Sequence, residues 1–304
     1  MRYAVDVAPL GELADPRVFA RIAATAEAAG WDGLSTWDVL ATTMGGAADP
    51  FVALAAAATA TERIRLITSV IVLPRRRPQL VAQSAASLDR LSDGRLILGI
   101  GVGGDRADFE AFGETWDHQY RLETFDEAAR LVDTWLRGGR VRHDGEAFAM
   151  HDVGVGPSPT QRPRPPIWLG AGGRPGALRR ASEWDGLIAV AIEEDGVTLG
   201  LTADGLAERL RRLDAERFVA AGHRALLTRV PAPGEDPPDI EEPAAVTAAR
   251  RPFDIAVFGQ DGLGGVRASD FEAAGATWWL ESYSPMRCSL DELLDSVAKG
   301  PPTG

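Results

Sequence analysis

The stretch Thr61–Gly104, TERIRLITSVIVLPRRRPQLVAQSAASLDRLSDGRLILGIGVGG, decides the fold. It opens on an apolar run, Ile64–Val72, and closes on a second, Leu96–Val102, with a helical stretch between them that ends at LDRLSDGR. Two continuously apolar runs joined through a helix describe parallel strands covered on their outer face. A strand with one face in water would alternate instead.

The same unit recurs in both directions along the chain. Strand-like runs fall at Tyr3–Ala8, Gly33–Trp37, Ile64–Val72, Leu96–Val102, Pro166–Leu169, Leu187–Ile192, Phe253–Phe258 and Thr277–Leu280, which makes eight. The pieces between them carry helix starts. Asp15-Pro16 and Asp49-Pro50 each set a capping carboxylate before a proline at the first helical position, and Gly30 stops the first helix. Eight βα units close into a barrel, so the expected fold is α/β, a single (β/α)8 TIM-barrel domain over residues 1–304. Two stretches break the even spacing. Residues 138–166 hold HDGEAF, which reads as a hairpin or meander, and PSPTQRPRPP, whose prolines exclude helix and central strand. PAPGEDPPDIEEP, residues 231–243, reads as an acidic surface excursion. The barrel is expected to carry its insertions after strands four and seven.

Composition narrows the function. A net charge of −12 offers no field for nucleic acid or an anionic membrane. A single cysteine, Cys288, excludes an intrachain disulfide and a thiolate metal cluster. The apolar stretch Phe51–Ala60 is too short to span a bilayer, and MRYAVDVAPL lacks a signal core, so a cytoplasmic protein is expected.

In a barrel of this kind, chemistry gathers where strands give way to their following loops. Those exits are Ala8-Pro9, Trp37-Asp38, Ser69-Val70, Gly101 to Asp105, Gly170 to Arg174, Glu193-Glu194, Gly259-Gln260 and Glu281-Ser282. Each has a plain reading too: Trp37 as packing, Asp38 as a helix cap, Glu281 as a solvated edge. No exit offers histidines and carboxylates at ligand spacing, which disfavours metal-dependent hydrolysis. His118, His143, His151 and His223 all lie elsewhere. In LGAGGRPGALRR, residues 169–180, the glycines suit either a phosphate held by backbone N–H groups or a bare tight turn. Alternation allows at most one of Trp278 and Trp279 to point into the barrel.

The order of motifs resembles the bacterial luciferase-like flavin or deazaflavin oxidoreductases. AEAAGWDGLSTWD, the Thr61–Gly104 stretch, FDEAARLVDTW and PSPTQRPRPPIWLGAGGRPGALRRASEWDG carry the likeness over most of the chain. The resemblance implies a cofactor, FMN or the deazaflavin coenzyme F-420, and a small organic substrate. It places a non-prolyl cis peptide at Ser69-Val70 behind the cofactor ring, with Gly101, Val102, Gly103 and Gly104 beside it. Gly170, Ala171, Gly172 and Gly173 would hold the phosphate, with Arg174 adjacent. Relatives commonly read Asp-His after the second strand, where this chain has Asp38-Val39. Valine transfers no proton, so Asp38 is the remaining catalytic candidate there, and Trp37, Val39 and Glu281 are expected to line an apolar substrate pocket. A flavin reductase and a second copy of the chain are the partners the resemblance suggests. The alternative is a non-catalytic flavin-binding or accessory protein that has lost the family histidine.

Overall fold

The computed structural model describes residues 1–40, 46–190, 200–227 and 252–302, the side chains of 218–227 excepted. Strands β1 (Arg2–Val7), β2 (Gly33–Thr36), β3 (Arg65–Thr68), β4 (Ile71–Val72) and β5 (Leu96–Gly101) are followed by the antiparallel pair β6 (Arg140–Asp144) and β7 (Ala149–Gly154). Strands β8 (Ile167–Ala171), β9 (Gly186–Ala189), β10 (Asp254–Gly259) and β11 (Trp278–Tyr283) complete the set. All but β6 and β7 pair in parallel in the order β3-β2-β1-β11-β10-β9-β8-β5-β4, and β3 also pairs with β5. The sheet therefore closes on itself. The third run divides around Ser69-Val70, and β4 continues β3 beyond that junction, so the closed barrel has eight staves.

Helices α1 (Pro16–Ala28), α2 (Pro50–Thr59), α3 (Pro78–Leu91), α4 (Ala107–Glu110), α5 (His118–Leu136), α6 (Pro175–Ala181), α7 (Ala203–Leu227), α8 (Ala268–Ala273) and α9 (Leu290–Val297) lie between and after the strands. The sequence-read caps form. Asp15 accepts from the Arg17 N–H at 2.8 Å, and Asp49 from Phe51 and Val52 at 2.9 and 3.2 Å. Gly30, with φ of 88°, ends α1.

The extra length after the fourth stave holds α4, α5 and the β6–β7 hairpin, whose turn is the HDGEAF stretch. The seventh stave, β10, is followed only by a short 3-10 turn and α8 before β11 begins. The acidic stretch 231–243 falls between the sixth stave, β9, and the seventh, and it lies outside the described residues, as do Glu193 and Glu194. The long connection thus follows the sixth stave, where an insertion after the seventh was expected. Among the described residues, no helix is long and apolar enough to cross a membrane.

Two apolar clusters follow from strand alternation. Val5, Leu34, Leu66, Leu98, Leu169, Leu187, Val257 and Trp279 face the helices. Ala4, Ile67, Ile97, Trp168, Ile188, Ala256, Trp278 and Leu280 fill the barrel interior. Trp278 is the inward tryptophan of its pair and meets Trp168 edge to face, with ring centroids 5.6 Å apart. Trp279 packs outward on Phe271.

Candidate active site

The C-terminal end of the barrel is built around Ser69 and Val70, whose peptide bond is cis. The second stave holds this junction from one side: the Ser69 N–H donates to the Thr36 carbonyl at 2.8 Å, and the Asp38 N–H to the Val70 carbonyl at 3.2 Å. From the other side the Val70 side chain rests on glycines. A Cβ on Gly101 would come within 2.6 Å of the Val70 methyls, and one on Gly170 within 2.8 Å. Only residues without side chains fit there. Val70, Gly101 and Gly170 therefore come together as one half-buried shelf between β4, β5 and β8.

Two arginines flank the shelf, and neither was found from sequence. Arg121, on α5, donates to the Gly103 carbonyl at 2.8 Å and lies 3.6 Å over the Trp116 ring. It closes the Gly101–Gly104 turn from below, and Val102 packs against the outer core. Arg209, on α7, donates to the Val190 carbonyl at 2.9 Å, and its Nε lies where a Cβ on Gly173 would meet it at 2.9 Å. Gly172 beside it is open, with only the Val190 carbonyl 3.8 Å from a built Cβ. The Gly170–Gly173 loop thus has a cation against it from α7, while Arg174 itself is exposed at the start of α6. No spacing in the sequence could have linked Arg209 to a loop so far upstream.

Asp38 is neither a helix cap nor a free acid. Arg76 grips its carboxylate through Nε at 2.8 Å and Nη2 at 2.7 Å, and the Val72 N–H donates to Oδ2 at 3.0 Å. Arg75 lies 3.6 Å from Oδ1 and reaches on to Asp108. A two-pronged guanidinium contact of this kind fixes geometry. Here it ties the segment after β2 to the turn after β4. Val39 packs with Ala8 and Leu10, with Trp37 and Ala47 beside them. Glu281 sits on the outward side of β11, where it accepts from the Trp279 indole N–H at 2.6 Å and the Asp261 N–H at 3.2 Å, and burial pushes its carboxyl up. It is not brought together with the shelf. Of the histidines, His143 pairs with Glu127 at 2.8 Å in the hairpin, His118 and His151 are exposed, and the side chain of His223 lies outside the described set.

Sequence reading also missed Asp6. It stands inward on β1, level in register with Ser35 of β2 and Ser282 of β11. Its Oδ1 contacts the hydroxyls of Ser35 at 2.7 Å and Ser69 at 3.0 Å, and Ser282 lies 3.5 Å from Oδ2. Burial pushes this carboxyl up to about 6, against the lowering effect of the three hydroxyls. The available signal was a lone carboxylate in the middle of the apolar run Tyr3–Ala8.

The closed eight-stave barrel is shared with known proteins. The profile of the luciferase-like monooxygenase family fits residues 3–282. The chain belongs to that family. Among solved structures it resembles an F-420-dependent secondary alcohol dehydrogenase in complex with an F-420–acetone adduct, at 16% identity and a TM-score of 0.71 over 97% of this chain and 96% of that one. It resembles the monooxygenase RslO1 from Streptomyces bottropensis at 18% identity and a TM-score of 0.70, over 98% and 96%. The oxygenating constituent of 3,6-diketocamphane monooxygenase from Pseudomonas putida, in complex with FMN, gives 16% and 0.61 over 86% and 67%. At these identities the likeness is one of fold.

Proposed function

We propose that this member of the luciferase-like monooxygenase family is an oxidoreductase that binds reduced FMN or coenzyme F-420 at the C-terminal mouth and acts on a small, apolar organic substrate. The observation that carries the reading is the Val70 shelf. Val70 is seated between Gly101 and Gly170, whose missing Cβ atoms make room for it, and an apolar side chain so held at the mouth suits one face of a planar ring. The open backbone at Gly172 and the guanidinium of Arg209 beside Gly173 suit an anionic side chain on the same molecule. When bound, the flavin or deazaflavin supplies the redox chemistry, and the chain supplies position and dryness. Val70 supports the ring, the Gly101–Gly104 turn borders it, and the Asp38–Arg76 clamp keeps the second and third staves in register around it. Val39, packed among Ala8 and Leu10, makes the wall beside the mouth apolar, which favours hydrophobic over sugar-like or phosphorylated substrates. Reduced FMN would come from a separate reductase, and a second copy of the chain remains the expected partner.

Titration of the purified protein with FMN and with F-420, followed by fluorescence, tests the reading. One of the two is expected to bind saturably. Gly172→Leu is expected to weaken that binding at least about tenfold while the unfolding midpoint stays near wild type, because the built Cβ meets almost nothing in the folded chain. Unchanged affinity in a folded Gly172→Leu protein overturns the placement. Val39 also favours a second reading, a cofactor-binding protein without turnover, and tight binding with no oxidation of any apolar alcohol or ketone would select it.

A further inference from the structure

Three oxygen atoms at the barrel mouth form a closed triangle. Ser35 Oγ lies 2.7 Å from Asp6 Oδ1, Ser69 Oγ lies 3.0 Å from the same oxygen, and the two serine hydroxyls are 2.6 Å apart. All three edges are at hydrogen-bond length, and each bond needs a hydrogen of its own. The two serines bring two hydrogens. With an ionised carboxylate one edge is left as two oxygens facing each other bare, whether it is the serine pair or one of the contacts to Asp6. A third hydrogen, on Asp6 Oδ1, completes the set: Oδ1–H donates to Ser35, Ser35 to Ser69, and Ser69 back to Oδ1. The surroundings agree. Asp6 is 3% exposed, the groups that touch it are Ser35 from β2, Ser69 from the end of β3 and Ser282 from β11, and no charged side chain pairs with it among the described residues. Among the described residues no cation offsets a negative charge buried there.

We propose that in mildly acidic solution Asp6 is held as a neutral carboxylic acid and that the Asp6–Ser35–Ser69 ring then stores an exchangeable proton at the mouth of the barrel, with Ser69 as its outlet. Ser69 is the outermost member of the ring, 8% exposed where Ser35 is fully buried, and it belongs to the same junction as the Val70 shelf. The transfer balances without a further reagent. A basic oxygen or nitrogen of the bound molecule takes the hydrogen of Ser69, Ser69 takes that of Ser35, Ser35 takes that of Asp6, and the carboxylate left behind is reprotonated from water after release. The reverse run accepts a proton. Asp6 is thus a positioning residue that acts through Ser69. It supplies at the first stave what Val39 cannot supply at the second. The outlet half of this inference rests on the cofactor-site reading; the ring itself does not.

The test has a part for each half. Carbon-13 NMR of the side-chain carboxyls, with the Asp6 signal identified by its loss in Asp6→Asn, is expected to give a midpoint about two pH units above that of an exposed aspartate. An ordinary midpoint overturns the ring, whatever the protein binds. Calorimetric titration of FMN and F-420 in buffers of different ionisation enthalpy then reads the proton exchanged on binding near pH 6. Proton linkage is expected to be larger in the wild type than in Asp6→Asn and Ser69→Ala, the ionisation of the ligand's own phosphate being common to all three. Linkage unchanged in Asp6→Asn overturns the outlet. If neither compound binds, the cofactor reading falls and the outlet with it, and the carboxyl titration still decides the ring. Asp6→Asn is expected to fold, because its amide donates to both serines and leaves their hydroxyls to complete the third edge.

Discussion

The two ends of the barrel are filled in opposite ways by the same inward positions. At the N-terminal end stand Trp168 and Trp278, edge to face, with Arg2 4.9 Å over the Trp278 ring and the Trp278 indole donating to Asp254 at 3.2 Å. Two residues further along each strand the inward side chains shrink: Trp168 gives way to Gly170, Ile97 to Gly99 and Gly101, Ile67 to Ser69, and Trp278 to Leu280 and Ser282. One end spends its volume on packing. The other leaves a floor of glycine and serine around one buried acid, and a mouth of that kind is where a barrel binds its ligand.

The largest expected effect comes from the filled end. Trp168 is fully buried, so Trp168→Ala should cost about 3–5 kcal/mol of unfolding free energy, measured by chemical denaturation. Trp168→Phe should cost far less, since the indole N–H it removes has no partner among the described residues. Cofactor affinity of the folded Trp168→Phe protein should stay within about twofold. A variant that keeps its stability and loses its ligand would break the division of labour between the two ends.

The next effect comes from the open end and depends on pH. Because burial raises the Asp6 carboxyl to about 6, the folded protein keeps this proton between about pH 4 and pH 6, where the unfolded chain has released it. The stability tied to that proton is fully present below about pH 4 and is lost as pH rises through about 6. Up to about 3 kcal/mol is at stake, as an upper bound. Asp6→Asn has no such proton to lose. The variant should therefore equal the wild type near pH 4 and exceed it at pH 8, by urea unfolding at each pH. A wild type whose stability rises relative to Asp6→Asn over this interval would contradict the neutral acid.

The same contrast explains what the sequence could and could not reveal. Continuous apolar runs and Asp-Pro helix starts are local, so the staves and the starts of α1 and α2 were legible, and the motif order identified the family. The shelf was legible in part: Ser69, Val70, Gly101 and Gly170 lie at strand ends, but only the folded chain shows that two of these glycines exist to seat Val70. The ion pair of Asp38 was not legible because its partner, Arg76, lies across a strand and a turn. Asp6 was passed over because one acid in RYAVDV interrupts nothing that periodicity detects. Its meaning depends on Ser35 and Ser282, brought level with it by strand register, and on Ser69 beyond the end of β3. Arg209 shares no local pattern with Gly173. Local order was readable, and cross-barrel pairing was not.

The smallest effect concerns Glu281, which the sequence placed in a substrate pocket. Its neighbours Leu280 and Ser282 point inward, so alternation turns Glu281 toward the helices, where its two oxygens serve the Trp279 indole and the Asp261 N–H. A glutamine there keeps one acceptor oxygen and sets an amide N–H against the second donor. Glu281→Gln should thus cost about 1 kcal/mol of stability, the worth of one hydrogen bond. It should leave the affinity for FMN or F-420, and the range of substrates turned over, unchanged. Denaturation and fluorescence titration of the one variant give both numbers. A tenfold loss of cofactor or substrate affinity at unchanged stability would return Glu281 to the mouth and show that its contacts to Trp279 and Asp261 open when ligand binds.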